Sequence, residues 1–371
     1  MKRAAILLSV LVLVGFVAAG LVPIDAPIPP SGVAGAPHRA LSEAEQARFL
    51  RGRLLFDRDF GHDAGVGPHF NGDSCRACHQ DPVVGGAGGI DVQVQRPAIP
   101  DGNGGFMPPP ETGALAHTHH RIDVDREEIP AGVAFVEERN SPTLLGLGLV
   151  EMISDATILA NEDPDDLDLD GIRGVAHRLP GNVIGRLGWK ASVPDLASFV
   201  RDAMSNEIGI TVPAGANPFG FSTDTDGIAD PEINQTDLGD IVFFLQLLDF
   251  PPKGAETDQT RTGEALFASV GCAKCHVPTM DGIELYSNLL LHDVQPPGFQ
   301  GVTEGEATSG LYRTPPLRGL RDTAPYFHDG RSETILDAIV RHDGEARAVR
   351  QAFQALDAAQ REALLAFLRS R

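Results

Sequence analysis

A chain of 371 residues, 42% hydrophobic and 22% charged, has room for two domains with apolar cores. Its formal net charge of −21 excludes nucleic acid and anionic membrane surfaces as partners. The charge suits cationic redox proteins or divalent cations, or serves solubility alone.

The N-terminus opens basic, Met1-Lys2-Arg3, and runs apolar from Ala4 to Ala19. That pattern predicts a secretory signal peptide over residues 1–20, with an uncleaved membrane anchor as the alternative. No cysteine follows the run, which excludes a lipoprotein anchor; export would place the protein in the periplasm. Residues 20–40 are rich in Pro, Gly and Ala and read as a lead-in. Ser42 and Glu45 form a capping box for a helix striped by Phe49, Leu50 and Leu54. Phe60 to Gly89 reads as loop, and Ile90, Val92 and Val94 alternate as in a short strand. Asp101 to Pro110 is a Gly/Pro loop. A helix is predicted over 192–208 with Ser192 as its cap, and another over Thr236–Leu248, stopped by Pro251-Pro252. That double proline divides an N-terminal domain, 37–250, from a C-terminal domain, 251–371. Three further helices are predicted: Glu256–Val270, Ser332–His342 and Ala358–Leu368.

All four cysteines sit in two Cys-x-x-Cys-His motifs, Cys75/Cys78/His79 and Cys272/Cys275/His276. A c-type haem needs two thiols for its vinyl groups and an imidazole reaching the iron from the same turn, and this spacing supplies all three. Disulfides or zinc are the competing readings; a histidine directly after both pairs, and no fourth closed zinc ligand, disfavour them. His342 is the candidate for the second haem's sixth position, because Ile335, Ala338 and Ile339 share its helical face. The bland alternative is a histidine answering the helix C-terminal dipole. For the first haem the candidates are His117, His119 and His120, with Met107 and Met152 behind them.

Asp166, Asp168 and Asp170 alternate before Gly171, as in the first half of an EF-hand loop, and make a calcium candidate against a solvated acidic turn. A weaker echo is Asp224, Asp226 and Gly227, followed by Asp230 and Glu232.

Several stretches together resemble one family. They are Gly67-Pro68-His69-Phe70-Asn71-Gly72, Arg139-Asn140-Ser141-Pro142-Thr143-Leu144, Gly188-Trp189-Lys190-Ala191, Cys275-His276-Val277-Pro278-Thr279, Arg313-Thr314-Pro315-Pro316-Leu317 and Ala324-Pro325-Tyr326-Phe327-His328-Asp329-Gly330. Across residues 48–370 they look like the di-haem oxidoreductases, also labelled thiol oxidoreductases, which are related to bacterial di-haem cytochrome c peroxidases. The resemblance implies a mainly α fold: two cytochrome c-like helical domains with long ordered loops, a few short strands, and calcium near their interface. It implies a peroxidatic N-terminal haem fed by a C-terminal haem, with His342 at the position of the relatives' axial methionine. It also points to Glu151 as the catalytic acid and to Trp189 as a relay between haems, although the relatives' Phe-Trp-Asp-Gly-Arg sequence is absent here. A structural anchor is the other reading of Trp189.

Two functions compete. One is an enzyme that reduces hydrogen peroxide, taking electrons from a small redox protein or a quinol-linked donor. The other is a non-catalytic electron carrier with both irons six-coordinate, which the histidines at 117, 119 and 120 would favour. Oxidation of an organic or protein substrate is a third. The thiol label gains no support, since haem would use every cysteine and leave no dithiol to exchange.

Overall fold

The computed structural model describes residues 26–110 and 115–371; the predicted signal segment lies outside them. Among the described residues no helix is long and apolar enough to cross a membrane. Helix α1 (Glu43–Asp57) starts at Ser42, whose hydroxyl accepts from the Glu45 amide while the Glu45 carboxylate accepts from the Ser42 amide. Its buried face is Phe49, Gly52, Arg53 and Phe56; Leu50 and Leu54 are only half-buried. Helix α2 (Cys75–Cys78) is one turn inside the predicted loop. Ile90–Val92 forms a 3₁₀ turn, not the expected strand. Ser141 explains the difference: its carbonyl takes the Gly88 amide and its hydroxyl donates to the Val92 carbonyl, so no ladder starts before Val94. Strand Val94–Pro100 then pairs antiparallel with Phe106–Met107 and Phe135–Arg139 in a three-stranded sheet.

Two short helices that the sequence did not announce follow, α3 (Leu147–Glu151) and α4 (Asp155–Leu159). Helix α5 (Leu196–Ala203) is capped by Asp195, not Ser192. Ser192 is excluded because Val193 bridges back to Leu187, which holds that stretch extended. The chain continues as a π-helical turn, Met204–Ile208, and stops at Gly209, whose φ of 84° is left-handed. Helix α6 (Gln235–Leu247) closes the first half. Beyond Pro251-Pro252 come α7 (Asp258–Ser269), α8 (Ile335–Arg341), α9 (Arg347–Ala355) and α10 (Ala358–Arg369). His342 is therefore the residue that ends α8 rather than one on its face.

Helices carry the cores, and the strands are short. One apolar cluster spans Phe49 to Phe250 and takes in Met280, Leu285, Leu289 and Leu290 from beyond the double proline. The second gathers Phe267, Tyr286, Leu317, Phe353, Leu364, Phe367 and Leu368. Each half rests on one helix crossing at a glycine. A Cβ on Gly52 of α1 would lie 2.0 Å from the Asp240 carbonyl of α6 and 2.7 Å from the Phe244 Cβ. A Cβ on Gly263 of α7 would lie 2.0 Å from the Ala363 carbonyl of α10 and 2.6 Å from the Phe367 Cβ. Four residues after each glycine stands a phenylalanine, Phe56 or Phe267, whose ring meets the motif histidine at a centroid distance of 6.4 Å in both halves. The domain-scale repeat is thus a repeat of packing: glycine, phenylalanine, histidine.

Gly52→Ala and Gly263→Ala should each destabilise the protein by about 1–3 kcal/mol, because backbone blocks the new methyl. Gly239→Ala, with only the end of Arg48 nearby at 3.5 Å, should be neutral or stabilising. Denaturant midpoints of the three variants check this; equal midpoints would remove the crossings as the source of rigidity.

Candidate functional site

The first cysteine motif winds into α2, so the His79 amide reaches the Cys75 carbonyl at 3.1 Å and the three side chains project from one turn. The second winds as a 3₁₀ turn, Cys272–Lys274, and the His276 amide reaches Cys272 at 3.0 Å. None of the four cysteines is in a disulfide. Burial pushes the thiols of Cys75 and Cys272 up to about 12 and that of Cys78 up to about 11.

Three imidazoles share one bonding pattern. His79 Nδ1 donates to the Gly86 carbonyl at 3.2 Å, His276 Nδ1 to Tyr286 at 3.0 Å, and His342 Nδ1 to Ala338 at 2.7 Å. A carbonyl only accepts, so Nδ1 carries the proton and Nε2 keeps a free lone pair. Burial also holds the rings neutral. It lowers the pKa of His79 to about 4, and burial with the charge of His342 lowers that of His276 to about 3. Burial lowers His342 as well. Neutral imidazoles with a fixed tautomer are what an iron ligand requires.

His276 and His342 line one cavity of about 260 Å³, together with Cys272 and Cys275 and the apolar walls Phe267, Leu317, Ile335, Ile339 and Phe353. Two thiols, two neutral imidazoles and an apolar lining fit a haem, which Cys272, Cys275, His276 and His342 would hold. The cavity continues to Ala87, Pro142 and Thr143, beside the turn that holds His79.

Trp189 also lines it, half-buried between the two halves. Its indole donates to the Asn140 carbonyl at 2.8 Å, its own carbonyl accepts from Arg313 at 2.7 Å, and it meets His328 edge-on at 6.5 Å. His328 in turn stacks on Tyr312 at 3.8 Å, and the Tyr312 hydroxyl donates to Glu137 at 2.9 Å.

Glu151 does not join this arrangement. One oxygen accepts from the Leu196 amide at 3.0 Å and the other from Gln246 at 2.9 Å, so it ties α3 to α5 and α6. The sequence reading missed Glu207. It lies on the π turn, with its charge felt at Cys78, and its carboxylate accepts from Asn71 at 2.7 Å. Burial raises its pKa, against the lowering effect of the Asn71 bond. The signal was present: Glu207 follows Val200 by seven residues and Met204 by three, which puts a carboxylate on an apolar helical stripe.

The histidines proposed for the first iron lie elsewhere. His117 has both ring nitrogens bonded, to Glu127 at 2.7 Å and to the Asn206 carbonyl at 2.9 Å. His119 and His120 are exposed, as are Met107 and Met152. Of the calcium candidates, Asp166 and Asp168 converge with Asp163, while Asp170 turns away to Lys274 at 2.8 Å.

A family model described as "Di-haem oxidoreductase, putative peroxidase" matches residues 131–371, which include the second cysteine motif but begin after the first. Cytochrome c551 peroxidase of Nitrosomonas europaea is 32% identical over 92 residues, 24% of this chain. That match spans only 28% of the relative's length. Among solved structures, the diheme peroxidase BthA from Burkholderia thailandensis aligns at 17% identity over 92% of this chain and 89% of its own, with a TM-score of 0.47. A MauG-like protein associated with microbial copper homeostasis aligns at 18% identity over 93% and 91%, with a TM-score of 0.44. The family match covers well over half of the sequence, and the chain belongs to the di-haem oxidoreductase family.

Proposed function

We propose that the protein is a peroxidase-like oxidoreductase with two covalent c-type haems, one on each cytochrome c-like half, in which hydrogen peroxide is reduced at the His79 side. The observation that carries this reading is an asymmetry. His276 shares its cavity with a second neutral imidazole, His342, whereas the first motif has a half-buried carboxyl, Glu207, whose charge is felt at Cys78. A doubly ligated iron suits electron transfer, and an iron with an open side and a nearby acid suits chemistry.

When bound, the haems supply the iron redox chemistry, two electrons and two protons turning one peroxide into two waters. The residues of the chain do the rest. His79 and His276, each turned by its Nδ1–H bond, would offer Nε2 to the irons. Glu207 holds a proton at its carboxyl and can give it to a peroxide oxygen, while Asn71 fixes the direction of that carboxyl. Trp189 stands between the halves, in place to pass electrons from the C-terminal side. A small redox protein or quinol-linked donor in the periplasm would supply them; that location rests on the N-terminal sequence alone.

Glu207→Gln should lower peroxide turnover by about 10²–10⁴-fold with both haems still attached. Glu151→Gln should keep turnover and lose about 1 kcal/mol of stability. In the wild type, turnover should fall as pH rises through the raised pKa of Glu207, since the carboxylate then has no proton to give. A wild-type pH profile matching that of Glu207→Gln would remove the role.

His342→Gly should turn one low-spin ferric signal high-spin in electron paramagnetic resonance. An unchanged spectrum would exclude His342 as a ligand. Two low-spin signals in resting and half-reduced wild type, without turnover, would instead mark an electron carrier.

A further inference from the structure

In the loop between the π turn and α6, Asp224, Asp226 and Glu232 each bring one oxygen to within 4.8 Å of the others, and the fourth acid, Asp230, accepts from the Asp224 amide at 3.4 Å. One oxygen of each acid, Asp224 Oδ2, Asp226 Oδ2 and Glu232 Oε1, is buried and accepts no hydrogen bond. The other oxygen of each carboxylate is tethered. Asp224 Oδ1 accepts from the Asp226 amide at 2.9 Å, and Asp226 Oδ1 accepts from the Ile228 amide at 2.7 Å. Glu232 Oε2 accepts from the amide and hydroxyl of Thr211. Each carboxylate is thus clamped by one oxygen and leaves the other buried without a donor, in a cluster tight enough for one ion. The Asp226 side chain has no exposed surface at all.

Buried carboxylate oxygens without donors are costly, and proteins keep them where a cation is bound. Arg121 does not meet this need. Its Nη1 stays 3.5 Å from Asp226 Oδ2, and its Nε and Nη2 are bonded to Asp123 at 3.0 and 2.7 Å. One shared guanidinium faces three carboxylates. Burial raises the pKa of Asp224 and of Glu232, the shift expected where the charged form lacks its counter-ion.

We propose that Asp224, Asp226 and Glu232 form a binding site for a hard divalent cation, calcium in the first instance. All three donors are oxygens, with no imidazole or thiolate among them, which favours calcium or magnesium over transition metals. The site is independent of the haems and of the proposed activity. The Asp163, Asp166 and Asp168 group makes a natural control. Its carboxylates already accept from amides of their own loop, at Leu167, Gly171 and Asp170, and none of its oxygens is buried without a partner.

Position gives the ion a structural task. Glu232 binds Thr211, four residues after Glu207, and Gly65, ten residues before Cys75, lies so close that a Cβ there would sit 2.3 Å from the Glu232 Cγ. The segment between them is stitched to the π turn, Gly67 to Ile208 at 3.0 Å and Asn71 to Glu207 at 2.7 Å. A bound ion would join the approach to the first cysteine motif to the turn that carries Glu207.

Haem-loaded full-length protein, stripped with chelator, should bind Ca²⁺ in calorimetric titration with a Kd below about 10⁻³ M. Mg²⁺ serves as the second probe. Asp226→Asn and the Asp224→Asn/Glu232→Gln pair should lose this binding, while Asp166→Asn/Asp168→Asn should keep it. Should the first two fail to fold, the wild type decides: Ca²⁺ must raise its melting temperature, and must still do so in Arg121→Ala. Absence of binding in the wild type, or binding lost only in the Asp166→Asn/Asp168→Asn variant, would overturn the proposal.

Discussion

Each motif histidine is backed by a pair of helices that cross at a glycine, with no room there for a further side chain. At Gly52 and Gly263 the helices approach so closely that even a methyl group would meet a carbonyl oxygen. The crossing fixes Phe56 and Phe267, and these rings back the imidazoles of His79 and His276. A carbonyl from the loop beyond each motif then fixes the tautomer. Backbone packing and one hydrogen bond together give each ring a single orientation, which a flexible Cys-x-x-Cys-His turn alone would lack. The phenylalanines Phe244 and Phe367 complete the same corner in the two halves, so the helices act as one repeated device.

Around this shared frame the two sites diverge. The C-terminal half returns a second imidazole to its cavity from the end of α8. The N-terminal half spends a long insertion differently, bringing a π turn and its half-buried carboxyl toward the first motif. π-Helical turns recur at functional sites because the extra residue re-aims a side chain that a regular helix would hide.

The halves meet through buried polar groups as well as through the apolar cluster that crosses the double proline. Lys190 is fully buried, its Nζ giving hydrogen bonds to Thr308, Ser309 and Leu311 at 2.8, 3.2 and 2.9 Å and lying 4.1 Å over the Tyr312 ring. Arg139 bonds Glu137 at 2.6 Å and Glu304 at 2.5 Å, joining residues far apart in the chain. Such contacts have demanding geometry, so they set the register of one half against the other. Trp189 sits at this joint, one residue before Lys190, and inherits its rigidity.

The sequence by itself determined what local chemistry encodes. The five residues of each cysteine motif carry their own haem-binding logic, and the capping boxes at Ser42 and Asp357 set their helices because both partners lie three residues apart. The helix leading into the second motif was legible as well, but the close crossing at Gly263 was not. Tertiary structure decided the rest. Glu151 and Glu207 are both glutamates near apolar residues, and only the fold shows one spent on Leu196 and Gln246 and the other half-buried with its charge felt at Cys78. It likewise separated Asp170, drawn to Lys274 from the second motif, from Asp226, clamped in its own loop. A carboxylate's role depends on which donors surround it, and here those donors come from up to 136 positions away, beyond the reach of any periodicity or spacing rule.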